Sequence, residues 1–535
     1  MQVTQLTIAS LMRRGSTLFA GSEVITWHGD SARHSTFAEV GARAARLANV
    51  LRGMGVKEGD RVATLCWNNQ EHLEAYLAIP CMGAVLHTLN LRLAPHQLVH
   101  IVNDAADRVI IVDASLIPLL AAIRTQLPTV EHVIVVGEGD TGALGDHIKY
   151  DQAISGASPD FDWPEIDEWA AAAMCYTTGT TGDPKGVVYS HRSIWLHCFG
   201  VWGSFNIDDS ERVLLIVPMF HVNAWGIPYA AWMLGCTMLL PDRFLQPQPL
   251  CDFITAEKPT FTGGVPTIFT GMLSYATANN RDLSSIKRAI CGGSAVPRVL
   301  IEAFRDKLHI DLIQAWGMTE TSPLGCIAYP PAGIPAEEEM VWRSKTGRAM
   351  PGVELRIVGD DGVELPWDGE SVGELQARGP WITASYYGVG APERFQDGWL
   401  RTGDVGVMDS RGYLQITDRS KDVIKSGGEW ISSVELENHL AAHPAVADAA
   451  VVGVHDERWD ERPLAAIVLK PGAQAGPDDL RTFLDGKVAR WWLPERWAFV
   501  DELPKTSVGK QDKKLIRQLY ADGKLEVQQA GKAVR

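Results

Sequence analysis

Apolar residues fall three and four apart at Val40, Ala44, Leu47, Ala48 and Leu51, the repeat of one helical face. Thr36 and Glu39 stand just ahead of them as a reciprocal capping pair, and Gly55 marks the stop. Beyond that helix the pattern alternates. Residues 61–66 read as a buried strand, 70–79 as a helix, 84–89 as a strand, 94–104 as a helix and 108–113 as a further strand. The rhythm returns in apolar runs at 212–217, 237–240, 261–264 and 287–291. Strand and helix alternating at this pitch predict parallel sheets with helices on their faces.

The pattern changes between residues 345 and 373. From Val353 it becomes short strands and turns, with Gly359-Asp360-Asp361-Gly362 as a turn signal. Residues 412–419 read as a strand ending in charge. Beyond it, 433–442 and 478–488 read as helices and 447–454 and 463–469 as strands. The predicted fold class is α/β: a large N-terminal domain, 1–420, with layered mostly parallel sheets and a small β subdomain, followed by a smaller α+β domain, 421–535. A chain of 535 residues is long enough for two domains.

Composition narrows the partners. The net charge of -16 argues against nucleic acid, whose backbone needs a basic face, and against electrostatic docking on an anionic membrane. Eight cysteines without a CxxC pair, mostly in apolar runs, read as reduced core thiols. Arg13 and Arg14 follow the apolar part of the N-terminus, the reverse of a secretory signal, and no apolar run is long enough to span a bilayer. The expectation is a cytoplasmic protein without integral membrane contact; a homodimer is left open.

The candidate chemistry begins at residues 176–186, YTTGTTGDPKG. Gly179 and Gly182 bracket Thr180 and Thr181, with Thr177 and Thr178 before them and Lys185 after. Such a loop can turn sharply and aim N–H groups and hydroxyls at an anion, and Lys185 adds positive charge, which suits a polyphosphate. It is not a Walker A loop, because Gly186 follows the lysine.

This run resembles the phosphate loop of the adenylate-forming superfamily, which holds acyl-CoA synthetases, adenylation domains of nonribosomal peptide synthetases and firefly luciferases. Thr178 stands where the usual form has serine, and the hydroxyl is retained. Four further segments resemble the family's motifs in its order: WGMTET at 316–321, WLRTGD at 399–404, DRSKDVIKSGGEWIS at 418–432 and PKTSVGK ending at Lys510. The resemblance implies that Thr319 bonds the α-phosphate, that Glu320 and Thr181 hold Mg²⁺, and that Asp404 grips the ribose hydroxyls. It implies a ribose or phosphate contact for Arg419 and a nucleotide cradle from Gly293, Ser294, Ala295, Gln314, Ala315, Trp316, Gly317 and Met318. Lys421 would be the hinge between domains. Ser426, Gly427, Gly428, Glu429 and Trp430 would line the CoA tunnel, and Lys510 would bridge substrate carboxylate and phosphates. A carboxylate as Mg²⁺ ligand and an ionised acceptor for two hydroxyls are chemically sound assignments. The family often has glycine where Asp418 stands, and many fatty-acid members carry Asp there.

The implied reaction uses ATP, Mg²⁺ and CoA on a small carboxylic acid: an acyl-adenylate forms with loss of pyrophosphate, the small domain rotates, and CoA takes the acyl group. In the segment 218–226, His221 would sit at the acyl entrance, beside Asn223. Trp225, Gly226, Val265, Pro266, Gly292, Gly317 and Pro323 would wall the acyl pocket; they offer no carboxylate for an amino acid's ammonium group. The motif set is most similar to the medium-chain fatty-acid and methylmercaptopropionate-CoA ligase branch, so a medium-chain or short thioether acid is expected. The alternatives are an adenylating enzyme that loads a carrier protein and a catalytically dead binding protein on the same fold.

Overall fold

The computed structural model describes residues 2–177, 183–426, 429–506 and 510–530, apart from the side chains of Glu429 and Trp430. The cap predicted at Thr36 forms in full: Thr36 Oγ1 accepts from Glu39 N at 3.2 Å and Glu39 Oε2 accepts from Thr36 N at 2.7 Å, opening the helix Phe37–Gly53. Two large sheets follow. One has seven strands, in the order Ile148–Lys149, His132–Val136, Val109–Asp113, Arg61–Leu65, Val85–Thr88, Ala171–Tyr176 and Gly186–Ser190, parallel until the last pair. The other has nine strands. Its centre is the parallel run Asp311–Gly317, Arg288–Cys291, Phe261–Gly264, Arg212–Leu215, Thr237–Leu240 and Glu23–Trp27.

The helix Gln70–Cys81 has every residue buried and belongs to the core shared by both sheets. Asn68, just before it, joins them: its Nδ2 donates to Leu215 O at 2.7 Å and Val217 O at 2.8 Å, and its Oδ1 accepts from Met219 N at 2.8 Å. A buried amide left unpaired costs free energy, so this three-way match fixes the turn that leads into His221.

An antiparallel five-stranded sheet holds Glu354–Val358, Gly373–Arg378, Trp399–Met408, Phe395–Gln396 and Leu414–Arg419. Residues after Lys421 build a six-stranded sheet around the long hairpin of Val446–Asp456 and Asp460–Leu469, with its own core including Trp497, Leu436 and Leu480. The helix expected to reach residue 488 stops at Leu484, because Asp485 turns extended (φ -61°, ψ 129°) and Gly486 takes a positive φ of 80°. Several helices were not named from the sequence pattern, among them Ile8–Leu18, His191–Phe205, Pro247–Glu257, Pro266–Ala278 and Lys513–Ala521. In His191–Phe205, Phe199 and Trp202 are exposed, which blurs the polar side of the repeat.

All eight cysteines are buried and free, as their apolar settings suggested. Among the described residues no helix is long and apolar enough to cross a membrane.

Candidate active site

The phosphate-type loop spans a hairpin between Ala171–Tyr176 and Gly186–Ser190. Its neck is closed by Thr177 N donating to Lys185 O at 2.9 Å and Lys185 N donating to Thr177 Oγ1 at 3.1 Å. Thr178, Gly179, Thr180, Thr181 and Gly182 lie outside the described residues, and with them the expected metal contact of Thr181. Lys185 Nζ sits 5.1 Å from the centre of the Tyr386 ring, and the Tyr386 hydroxyl donates to Glu320 Oε1 at 2.6 Å. Arg394 Nη2 is 3.8 Å from the same oxygen. The neck of the loop and Glu320 are therefore joined through one tyrosine.

Glu320 is held by a tight turn. The strand Asp311–Gly317 ends as Met318 N donates to Thr321 Oγ1 at 2.9 Å and to Pro323 O at 3.2 Å. A Cβ on Gly317 would lie 1.8 Å from Pro323 O, so only glycine lets the chain fold back here. Tyr189 OH donates to Thr319 O at 2.8 Å, which fixes the turn from the hairpin side. Thr319 and Glu320 are both buried. Gly317→Ala is expected to cost at least about 1–3 kcal/mol, because backbone must shift; urea unfolding against the parent chain measures it.

Asp404 lies between two partners. Trp316 Nε1 donates to Oδ2 at 2.8 Å, and Arg419 Nε meets Oδ1 at 2.6 Å. The strand pair Trp399–Met408 and Leu414–Arg419 sets this register, with Asp404 opposite Arg419. Gln314, two residues before Trp316, is buried and its Oε1 has no partner among the described residues, an acceptor open to a donor such as a base amino group. Ala315 packs its carbonyl against Gly292, where a Cβ would approach to 2.6 Å. Ser294 and Ala295 lie exposed in the turn after Arg288–Cys291, and Gly293 takes φ 85° there.

Lys510 comes from the part of the chain beyond Lys421 but reaches this group. Burial pushes its ammonium down to about 8; Arg419 and Lys421 add repulsion, and the charges of Asp404 and Glu320 oppose it. Its carbonyl accepts from Thr506 N at 2.7 Å. The neighbourhood extends to His221, whose imidazole is driven down to about 3 by burial, then by Lys510 and Arg92, and so is neutral at pH 7. The structure thus brings Asp404, Arg419, Glu320 and His221 within electrostatic reach of Lys510.

His221 precedes an unusual segment. Val222, Asn223, Ala224, Trp225 and Gly226 all have positive φ, between 39° and 70°, making one left-handed turn. L-residues pay roughly 1–2 kcal/mol each for that hand. The turn throws the Trp225 indole across a glycine floor: its ring carbons stand 3.5–4.0 Å from where Cβ atoms of Gly263, Gly292 and Gly293 would be. Val265 Cγ1 would lie 3.2 Å from a Cβ placed on Gly293, and Gly226 lies against buried His197. Pro266 opens the helix that follows Val265, and Pro323 sits in the turn that holds Glu320.

Lys421 lies just beyond the strand Leu414–Arg419; Arg517 Nη2 contacts its carbonyl at 3.4 Å and pairs with Asp422 at 2.7 Å. Ser426 is buried, and Arg462 Nη1 donates to its Oγ at 3.2 Å. Gly427, Gly428 and the side chains of Glu429 and Trp430 lie outside the described residues. Sequence reasoning missed Tyr386, Arg394 and Tyr189. The only local signal is the aromatic pair Tyr386-Tyr387 beside glycine, and nothing in it points to Glu320.

Two sheets share a core, and Lys510, from beyond Lys421, comes to the buried carboxylates Asp404 and Glu320, so the site is built from two parts of the chain. A family model described as "AMP-binding enzyme" matches residues 16–387, and one described as "AMP-binding enzyme C-terminal domain" matches 435–510. The chain belongs to the AMP-binding enzyme family and is an AMP-forming acid–thiol ligase. It is 44% identical to a 3-methylmercaptopropionyl-CoA ligase of Ruegeria lacuscaerulensis, covering 98% of both chains. It is 40% identical to a medium-chain-fatty-acid–CoA ligase of Ectopseudomonas oleovorans, covering 98% of this chain and 97% of that one. Among solved structures, an anthranilate CoA ligase, AuaEII, in complex with anthranoyl-AMP superposes with a TM-score of 0.88 at 27% identity, covering 97% of this chain and 98% of that one.

Proposed function

We propose that the protein joins a short or medium-chain carboxylic acid, thioethers included, to CoA through an acyl-adenylate. The observation that carries the choice of acid is the Trp225 indole lying over Gly263, Gly292 and Gly293. A rigid aromatic across the floor of the acyl slot shortens it. The slot wall carries no acid to bind an amino group, which disfavours amino acids.

In the first half-reaction the substrate carboxylate attacks the α-phosphorus of ATP and pyrophosphate leaves. The residues act by positioning and charge neutralisation. Thr319 and Lys185 hold phosphate oxygens, Asp404 accepts from the ribose hydroxyls, and Arg419 fixes Asp404 while facing the ribose. Lys510 spans substrate carboxylate and phosphates. Neutral His221 stands at the acyl entrance without adding charge there. Mg²⁺ would neutralise phosphate charge, held by Glu320. That donor set fits: Glu320 is a buried carboxylate, and Mg²⁺ favours one carboxylate plus phosphate oxygens and waters.

In the second half-reaction the domain that begins at Lys421 turns about that residue, withdraws Lys510 and brings the 426–430 segment to the site. The CoA thiolate then attacks the acyl carbon and AMP leaves.

Pyrophosphate release and acyl-CoA formation across acids from acetate to palmitate, with aromatic acids and methylmercaptopropionate included, test the reading. Highest kcat/KM among short and medium-chain acids is expected; a maximum at palmitate or at an aromatic acid refutes the assignment, and product only on a pantetheinylated carrier protein refutes CoA as acceptor. Trp225→Ala should open the slot. Because each methylene contributes about 10–200-fold to discrimination, the variant's kcat/KM for acids a few carbons longer should rise at least about tenfold relative to the shorter ones.

A further inference from the structure

Residues 381–390 form neither helix nor strand, yet they are tied to two separate parts of the candidate site. On one side, Thr383 N donates to Glu320 O at 2.8 Å, Trp381 Nε1 donates to Leu324 O at 3.0 Å, and Ser322 Oγ donates to Trp381 O. On the other, Tyr387 N donates to Gly186 O at 2.8 Å, one residue after Lys185. A Cβ on Gly186 would lie 3.1 Å from the Tyr387 Cβ, so the two stretches pack closely there. The turn that holds Glu320 and the hairpin that holds Lys185 are thus joined by one short length of backbone.

Tyr386 stands in that stretch and is buried. Its hydroxyl donates to Glu320 Oε1 at 2.6 Å, the short distance of a bond to a charged acceptor. Burial, and then the charge of Glu320, pushes the phenol up from its ordinary value, so it stays a donor at pH 7. Arg394 Nη2 approaches the same oxygen, so Oε2 is engaged by neither neighbour. The Tyr386 ring centre lies 5.1 Å from Lys185 Nζ, within the range of a cation on an aromatic ring. Phe395, from the antiparallel sheet, meets that ring edge to face with centroids 5.3 Å apart. One stiff side chain therefore meets a carboxylate at its tip and an ammonium at its ring.

The arrangement answers a problem of opposite charges. Lys185 carries its ammonium on a long flexible stem. Left unheld near a buried carboxylate, that ammonium would fold onto Glu320, and each would cancel the charge the other offers to the nucleotide. The ring gives the ammonium another place to rest, and the hydroxyl occupies the oxygen that Arg394 also approaches. Placement matters here because an error of about 1 Å can cost about 10²-fold in rate.

We propose that Tyr386 is a positioning residue for adenylation: its hydroxyl aims the Glu320 carboxylate and its ring steadies the Lys185 ammonium, so that the two face the nucleotide phosphates at a fixed spacing. The proposal rests on the roles given above to Lys185 and Glu320, and Tyr386 acts through them.

The test uses the full chain. ATP–pyrophosphate exchange with octanoate reports the first half-reaction, and octanoyl-CoA formation from synthetic octanoyl-AMP reports the second. Calorimetry gives the affinity for a non-hydrolysable ATP analogue with Mg²⁺, and for AMP alone. Tyr386→Phe keeps the ring and removes the hydroxyl. It should lower exchange and analogue affinity each about tenfold or more, the scale of one hydrogen bond to a charged group, and leave AMP affinity and thioester formation within about twofold. Tyr386→Leu also takes the ring from Lys185 and should lower exchange further. A purely structural role would lower AMP affinity and thioester formation in step with exchange and shift the melting temperature; that result, or parent-like exchange in Tyr386→Phe, overturns the proposal. Glu320→Gln and Lys185→Ala are run alongside. If neither lowers exchange, the roles given to those two residues are wrong; if either does and Tyr386→Phe does not, only the brace is wrong.

Discussion

Lys510→Ala is expected to lower adenylation by at least about 10²–10³-fold, the scale of one aimed donor in a preorganised site, and to leave thioester formation from synthetic acyl-AMP near the parent rate. The expectation follows from where the ammonium sits. It is surrounded by Asp404, Glu320, Arg419 and Lys421, and its desolvation lets a single positive charge act strongly on a phosphate. Nothing in the second half-reaction needs that charge, because the anhydride already exists. Equal loss of both half-reactions would sink the assignment. The same burial gives a pH signature. The depressed ammonium is charged below about 8 and neutral above it, so exchange at low ATP should fall as pH rises through about 8, unless bound phosphate lifts that value. In Lys510→Ala this alkaline limb should vanish from the residual rate.

The motif positions were legible because each depends on local chemistry that a short string can carry. The Thr36–Glu39 cap and the glycines and threonines of the phosphate-type loop are of this kind; Asp404 and Arg419 were named through the resemblance, and their pairing across one hairpin comes from the fold. The parallel sheets were legible because buried strands are short apolar runs between helices. What stayed hidden depends on distant partners. Tyr386 bonds Glu320 across 66 residues, and the charge of Lys510 reaches Asp404 from beyond Lys421. The left-handed turn at 222–226 was hidden for another reason. Of its residues only Gly226 and, less readily, Asn223 favour positive φ, so the backbone is held there by its surroundings: Asn223 is packed against Thr88 and Cys175, with its Oδ1 3.3 Å from Thr88 Oγ1. Reading the string gave Trp225 as a wall of the acyl pocket. The turn decides which way that wall leans, and so supports a shorter acid.

Lys421→Pro is expected to keep pyrophosphate exchange within a few-fold of the parent and to reduce CoA transfer by about a hundredfold or more. Lys421 is not among the residues with positive φ, so a proline's φ near -65° need not strain the adenylating orientation. The ring removes the freedom that a rotation at this position would use, and it biases Ser420 away from the helical region as well. Across the pivot two contacts belong to the orientation seen here: Asp418 Oδ2 accepts from Ser433 N at 2.7 Å, and Thr417 O accepts from Ser432 Oγ. A chain locked there presents Lys510 well and the 426–430 segment badly. The size of the loss follows from mass action: a competent state populated at one part in a hundred lowers the apparent rate about a hundredfold. Stopped-flow mixing of CoA with the enzyme-bound adenylate measures it directly. Wild-type transfer in Lys421→Pro would place the pivot elsewhere in the chain, whereas loss of exchange as well would mean that the proline had disturbed the Asp404–Arg419 pair two residues before it.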